Sequence, residues 1–293
     1  MKKLYEIYEK YQSFLKGNPS VFFSPGRVNL IGEHIDYLGG NVFPAAIELG
    51  TYAFVTKRED KKFKCFSVNF PQSKTKVISY PVKGYDKSLG WANFVAGMID
   101  ALIEDDVPFG LNILIYGNLP NGAGLSSSAS LEVLIGEILN DYYQLGVNRI
   151  DMVQIAQNVE NEFVGLKCGI MDQFAVGMSK KDTAILLNTN TLDHDFVPLE
   201  LKDYVLLIAN TNKSRSLSDS KYNERRGECD RALAIIKKTY HFIENLCDLE
   251  PRELDNIKKV LNDQVLYKRV KHAITEQYRT NKALEVLKKY NVR

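Results

Sequence analysis

The chain has 293 residues, 45% hydrophobic and 25% charged, an ordinary globular composition with room for one large domain or two medium ones. Lysine and arginine number 38 against 36 acidic residues, so the net charge of +2 gives no electrostatic reason to expect nucleic acid or an acidic membrane as partner. Cys65, Cys168, Cys229 and Cys247 lie far apart with no paired short spacing, which argues against a zinc site and a disulfide framework and suits a reducing cytosol.

The first ten residues carry too many charges for a signal peptide, and no apolar run approaches the roughly 20 residues that span a bilayer, so a cytosolic protein is expected. Leu4, Ile7, Tyr8, Tyr11 and Leu15 recur at helical spacing and predict an amphipathic helix over 3–16. Short strand-like pieces follow at 21–24, 28–31 and 43–47. Two more, at 51–57 and 63–68, flank the charged turn at 58–62 and predict a hairpin. Trp91, Phe94, Val95, Met98, Ile99 and Leu102 mark a second helix that packs on a sheet.

Within this first third lies Ser24-Pro25-Gly26-Arg27-Val28-Asn29-Leu30-Ile31-Gly32-Glu33-His34-Ile35-Asp36-Tyr37, with an arginine, two carboxylates and a histidine close together. Such a segment builds a core poorly, because each buried ion needs partners. It suits a polyhydroxylated ligand, whose hydroxyls pair with carboxylates while the arginine manages a second charge. These residues alone fit a solvated loop equally well.

An apolar run at 111–116 has a strand's length and is broken by the glycines and proline of 117–122. Then comes Leu119-Pro120-Asn121-Gly122-Ala123-Gly124-Leu125-Ser126-Ser127-Ser128-Ala129-Ser130-Leu131-Glu132, directly ahead of a helix striped by Leu131, Leu134, Ile135, Ile138, Leu139 and Tyr142. Glycines let backbone approach a ligand, and a helix N-terminus aims its unpaired N–H groups and dipole at the loop. Phosphate binding and a plain serine cap with a glycine turn both fit. The loop lacks the lysine of a Walker A motif, and no strand–helix–strand unit surrounds it as a dinucleotide fingerprint requires. Met152, Ile155, Ala156, Val159 and Phe163 make a further helix. Strands are expected at 183–187 and 204–209, and a charged helical pattern from about 219 to the end.

Taken together, the two motifs resemble galactokinases. Gly26 to Tyr37 as quoted is similar to their sugar-binding signature. Gly122-Ala123-Gly124-Leu125-Ser126-Ser127-Ser128-Ala129-Ser130 resembles the ATP loop of the wider (GHMP-type) superfamily of galactokinase, homoserine kinase, mevalonate kinase and phosphomevalonate kinase. Glu160-Asn161-Glu162-Phe163-Val164-Gly165-Leu166-Lys167-Cys168-Gly169-Ile170-Met171-Asp172-Gln173 and the stretch at 212–226 are similar to the galactokinase branch in particular.

The resemblance implies an α+β, two-domain small-molecule kinase fold with the active site between the domains. Residues 1–180 would form the sugar- and ATP-binding domain. Residues 181–293 would form an incomplete second domain, because the last glycine is Gly227 and the family's third, glycine-rich motif is not found after it. The implied reaction is ATP-dependent phosphorylation of galactose at its anomeric hydroxyl, with weakened or absent turnover and poor stability expected of so short a second domain. By similarity, Asp172 takes the hydroxyl proton and Arg27 stabilises charge at the transfer centre. Glu33, His34, Ile35 (threonine in most relatives), Asp36, Gly169 and Tyr222 would line the sugar pocket. Gly122, Ala123, Gly124, Leu125, Ser126, Ser127 and Ser128 would wrap the ATP phosphates and Ser67 would touch the nucleotide. Ser128 and Glu160 would hold Mg2+, a hard cation that takes oxygen ligands and keeps waters.

An N-acetylgalactosamine kinase and a non-catalytic galactose- and ATP-sensing protein are the alternatives. Fungal sensors of this type lack a Ser-Ala pair in the ATP loop, which is present here as Ser128-Ala129. A monomer with no nucleic-acid or membrane partner is expected. Without the resemblance, Asp172 reads as a helix cap, Glu160 as a solvated helix residue and Tyr222 as a half-buried tyrosine. His194, His241 and His272 read as isolated polar residues, and Arg225 and Arg226 as a solvated helix face.

Overall fold

The computed structural model describes residues 2–104, 106–120, 122–210 and 221–290. The elements run α1 (Lys2–Leu15), β1 (Ser20–Asn29), β2 (Asn41–Val42), β3 (Pro44–Arg58), β4 (Lys62–Ser67), β5 (Lys76–Ser79), α2 (Ala92–Leu102), β6 (Gly110–Gly117), α3 (Ser127–Tyr143), α4 (Arg149–Asn158), α5 (Met171–Met178), β7 (Thr183–Asn188), β8 (His194–Pro198), α6 (Lys221–Ile236), α7 (Leu254–Leu261) and α8 (Gln264–Tyr290). A six-residue π-turn, Val159–Val164, follows α4.

The main sheet has the order β1-β3-β6-β4-β5, with β4 and β6 parallel and the other pairs antiparallel. Strand alternation sorts its residues. Phe54 and Leu114 pair in register and face the apolar stripe of α1, while Ala53, Val55, Ile113 and Ile115 face α2 and α3. Both faces are therefore covered, which is why 111–116 is apolar apart from Asn112.

Three strand expectations change. The pieces at 21–24 and 28–31 belong largely to one strand, β1, whose register shifts between Pro25 and Gly26. The expected hairpin of 51–57 with 63–68 does not form, because β6 enters between β3 and β4 and pairs with both. The strand expected at 204–209 is irregular. Tyr204, Val205 and Leu207 are 80%, 87% and 90% exposed, since no neighbour among the described residues pairs with this segment. A charged turn and an apolar run are local signals, whereas strand partners come from distant chain.

A second core lies around the small sheet β2-β7-β8 and helices α5 to α8. Phe174, Ile185, Ile236, Ile257 and Val270 are fully buried there, joined by Ile35 and Leu38 from the charge-dense motif. This core draws on residues from both sides of position 180. Among the described residues no helix is long and apolar enough to cross a membrane.

Candidate active site

The polar groups converge where the two cores meet. The irregularity at Pro25/Gly26 re-aims β1 as it reaches Arg27, a common use of bulges beside functional groups. Arg27 donates from Nε and Nη2 to Oδ1 of Asp172 at 2.8 and 2.5 Å, and from Nη1 to the Gly124 carbonyl at 2.7 Å. Its backbone N–H donates to the Leu125 carbonyl at 3.2 Å. One side chain thus ties the first motif to the glycine loop and to the first turn of α5. Asp172 does not cap that helix. Ile170 holds the cap position, leaving the carboxylate to the arginine.

The glycine loop is built as its sequence suggests. Gly122, Gly124 and Ser126 have positive φ, and the chain then enters α3 with no side-chain cap on its first N–H groups. The Ser126 hydroxyl is buried with no hydrogen-bond partner among the described residues. Ser130 serves the scaffold, donating to the Ser24 carbonyl and lying 2.9 Å from the Thr51 hydroxyl, which pins α3 to β1 and β3. Beside the loop opens a cavity of about 410 Å³ lined by Ser67, Phe70, Trp91, Gly122, Ser127 and Ser128 among others. Its apolar rim and polar end suit a nucleotide base with its phosphates. Trp91 therefore borders this cavity as well as packing against the first core.

The sugar-motif residues divide. Glu33 is exposed and accepts from Asn29 Nδ2 at 2.9 Å. His34 sits at positive φ, its Nδ1 3.1 Å from the Tyr37 hydroxyl, and its ring lies 5.6 Å from that of Tyr222. Asp36 is half-buried and faces Gly169 so closely that a Cβ there would stand 2.2 Å from its Oδ2. Burial, then the nearby charge of Asp172, raises its carboxyl from 3.8 to about 7. Burial likewise pushes the Tyr222 hydroxyl up.

Ile35 must be corrected. Its side chain is 0% exposed and packed in the second core, so only its backbone is left to face a sugar. Its apolar character anchors the loop. Arg225 and Arg226 are not a solvated face either: both are half-buried, Arg225 near the Tyr37 hydroxyl and Arg226 with its guanidinium 5.3 Å from the Tyr37 ring. The part of the fourth motif at 211–220 lies outside the described residues, as does Asn121.

Glu160 sits on the π-turn and is 2% exposed, so the solvated-helix reading fails. It accepts from Gln173 Nε2 at 2.6 Å, and the Ser128 hydroxyl hydrogen-bonds it. Burial, then the charge of Asp172, raises its carboxyl from 4.5 to about 7. Glu132, fully buried on α3, accepts from the same Gln173 nitrogen at 3.0 Å and leaves its Oε1 unpartnered among the described residues. Burial and Glu160 push Glu132 well above the usual carboxylate range. Sequence reading passed over Glu132 and Gln173. The available signal was an acid embedded among Leu131, Val133 and Leu134 on a buried helix.

No group of three or more His, Cys, Asp or Glu side chains among the described residues can hold a metal. The Ser128–Glu160 pair nevertheless fits magnesium: the donors are all oxygen, and a buried acid pair with a partnerless Oε1 is short of positive charge.

These features define a small-molecule kinase of the GHMP class. The model described as the GHMP kinases N terminal domain matches residues 93–180, and the galactokinase galactose-binding signature matches residues 9–57. The Methanococcus jannaschii mevalonate kinase structure shares the fold, with a TM-score of 0.56 at 18% identity over 87% of this chain and 80% of that one.

The chain belongs to the galactokinase family. It is 50% identical to the galactokinase of Clostridium beijerinckii over 276 residues, covering 94% of this chain and 71% of the relative. It is 49% identical to that of Levilactobacillus brevis over 92% of this chain and 70% of the relative. The structure of Lactococcus lactis galactokinase complexed with galactose aligns with a TM-score of 0.92 and 43% identity, over 98% of this chain and 75% of that one.

Proposed function

We propose that this chain transfers the terminal phosphoryl group of ATP to the anomeric hydroxyl of galactose. The observation that carries the reading is the joint contact of Arg27 with Asp172 and with the Gly124 carbonyl, which sets a carboxylate, a cation and the glycine loop side by side. Family membership and the likeness to a galactose-bound galactokinase support it.

Phosphoryl transfer asks a protein for positioning and charge neutralisation more than for covalent chemistry. Both Arg27 bonds end on Oδ1 of Asp172, so Oδ2 is the atom we assign to the sugar's proton. Arg27 holds that carboxylate in place and offers its guanidinium to charge building on the transferring group. Glu33, His34, Asp36 and Tyr222 bind and orient the hexose hydroxyls, with Gly169 leaving the backbone room to approach. The loop from Gly122 to Ser128 supplies N–H and hydroxyl donors to the phosphates, and Ser67 borders the nucleotide. Ser128 and Glu160 would hold magnesium, which when bound neutralises phosphate charge. Residues 1–180 carry most of these groups and 181–293 contribute Tyr222, in a monomer working in the cytosol.

ADP release with magnesium-ATP, measured across galactose, N-acetylgalactosamine, glucose, homoserine and mevalonate, tests the reading. Turnover confined to galactose, and weakened by the short second domain, is expected. Turnover with homoserine or mevalonate instead, or none with any sugar, would refute it, and a preference for N-acetylgalactosamine would move the assignment to that hexose.

A further inference from the structure

The loop that carries Glu33, His34 and Asp36 is held from outside the site by α8, whose polar side chains reach back almost the whole length of the chain. Oε1 of Glu276 accepts from the backbone N–H groups of Gly32 and Glu33 at 2.9 and 3.1 Å. One helical turn earlier, His272 donates from Nε2 to the Glu33 carbonyl at 2.8 Å. At the far end of the loop, Gln277 accepts from the Asn41 N–H at 2.8 Å and Asn281 from the Asn41 side chain at 2.9 Å.

Glu276 is 6% exposed, and a carboxylate so buried must be partnered. Arg279 engages its Oε2 from one side, which leaves Oε1 aimed at two consecutive amides. Charge-assisted bonds of this kind are about twice as strong as neutral ones, and two from adjacent N–H groups fix the peptide plane between them. Gly32 lies at φ +102°, and a Cβ there would stand 2.7 Å from the Asn41 carbonyl, so the loop's two ends are packed together at this point. The helix itself is anchored by Val270, Ala273 and Ile274 in the second core. Arg269 also bonds Glu228 of α6, the helix that bears Tyr222, so α8 braces both walls of the pocket.

We propose that Glu276 is a positioning residue for sugar binding: it holds the Gly32–Glu33 backbone so that Glu33, His34 and Asp36 are set for the hexose before it arrives. The inference rests on the assignment of those three residues to the sugar.

The test uses the full chain and the variants Glu276→Ala, Glu276→Gln and Arg279→Ala. Galactose and magnesium-ADP affinities are measured separately by calorimetry, with amide hydrogen exchange followed over residues 30–41. Glu276→Ala is expected to weaken galactose about tenfold, leave magnesium-ADP within about twofold, and speed exchange in the loop. Glu276→Gln keeps an acceptor oxygen and is expected to fall between. Unchanged galactose affinity, or equal losses for galactose and nucleotide, would overturn the proposal. If Glu276→Ala does not fold, Arg279→Ala carries the test, with a severalfold loss for galactose alone expected and no selective loss overturning it. If the unaltered chain binds no galactose, the sugar assignment fails. Hydrogen exchange then still decides the clamp, because unchanged exchange in the variants removes it.

Discussion

Arg27 and Asp172 are 145 positions apart and share one oxygen, so each is interpretable only with the other in place. Replacing Asp172 with Asn keeps the shape and removes the proposed base. Turnover is expected to fall by about 10²–10⁴-fold with galactose affinity within a few-fold, checked by steady-state kinetics beside calorimetry. Near-normal turnover would show that another group takes the proton. Asp36 carries a pH prediction. Its folded value of about 7 exceeds the ordinary 3.8, so its contribution to stability is fully present below the ordinary value and is lost as pH rises through about 7. Unliganded melting temperature should therefore fall across that window, and Asp36→Asn should flatten the slope. A parallel slope in the variant would assign the effect to other groups. The types of these residues were legible in order along the chain. Their pairing was not, nor was the direction of Ile35, because a motif does not say which of its members points into a core.

At the scale of elements, the glycine loop and β1 meet at Gly26. A Cβ there would stand 2.5 Å from Leu119 Cδ2 and 2.8 Å from the Leu125 carbonyl. The second neighbour is backbone and cannot swing aside, so Gly26→Ala should displace the loop and raise the nucleotide dissociation constant severalfold. A nucleotide titration reads this directly, and an unchanged value would show that the loop is not tied to β1 here. Helices were read well because their stripes are local: α1, α2 and α3 match the expected apolar positions. Strands fared worse. The hairpin expectation failed because loop length and turn composition cannot reveal that β6, distant in the chain, pairs with both strands.

At the scale of the whole molecule, the helices of the second core are held together by polar links as well as apolar ones. Arg269 of α8 bonds Glu228 of α6 at 2.5 Å, and the Glu228 side chain is only 9% exposed. Arg269→Ala leaves that acid without its cation and should cost about 2 kcal/mol, less than for a fully buried pair because Arg269 itself is 30% exposed. Urea unfolding measures it, and a loss of a few tenths would mean that water replaces the arginine. The same helix supplies Glu276 and His272 to the backbone of Gly32 and Glu33, so a change in α8 is felt both in the second core and in the loop that carries the signature residues.

The order of residues alone determined the family, the glycine loop ahead of α3 and the list of chemical groups, because motifs of glycine, hydroxyl and charge are contiguous and their backbone demands are local. It also determined the helices, whose period shows in any short window. Only the tertiary structure decided that β6 separates β3 from β4, that Glu132 and Glu160 share the Gln173 amide, that Ile35 belongs to a core, and that α8 braces the backbone at Gly32 and Glu33. Each of those is a contact between segments far apart in the chain. Burial, hydrogen-bond partners and proton affinity belong to the folded surroundings and have no counterpart in a residue's place in line.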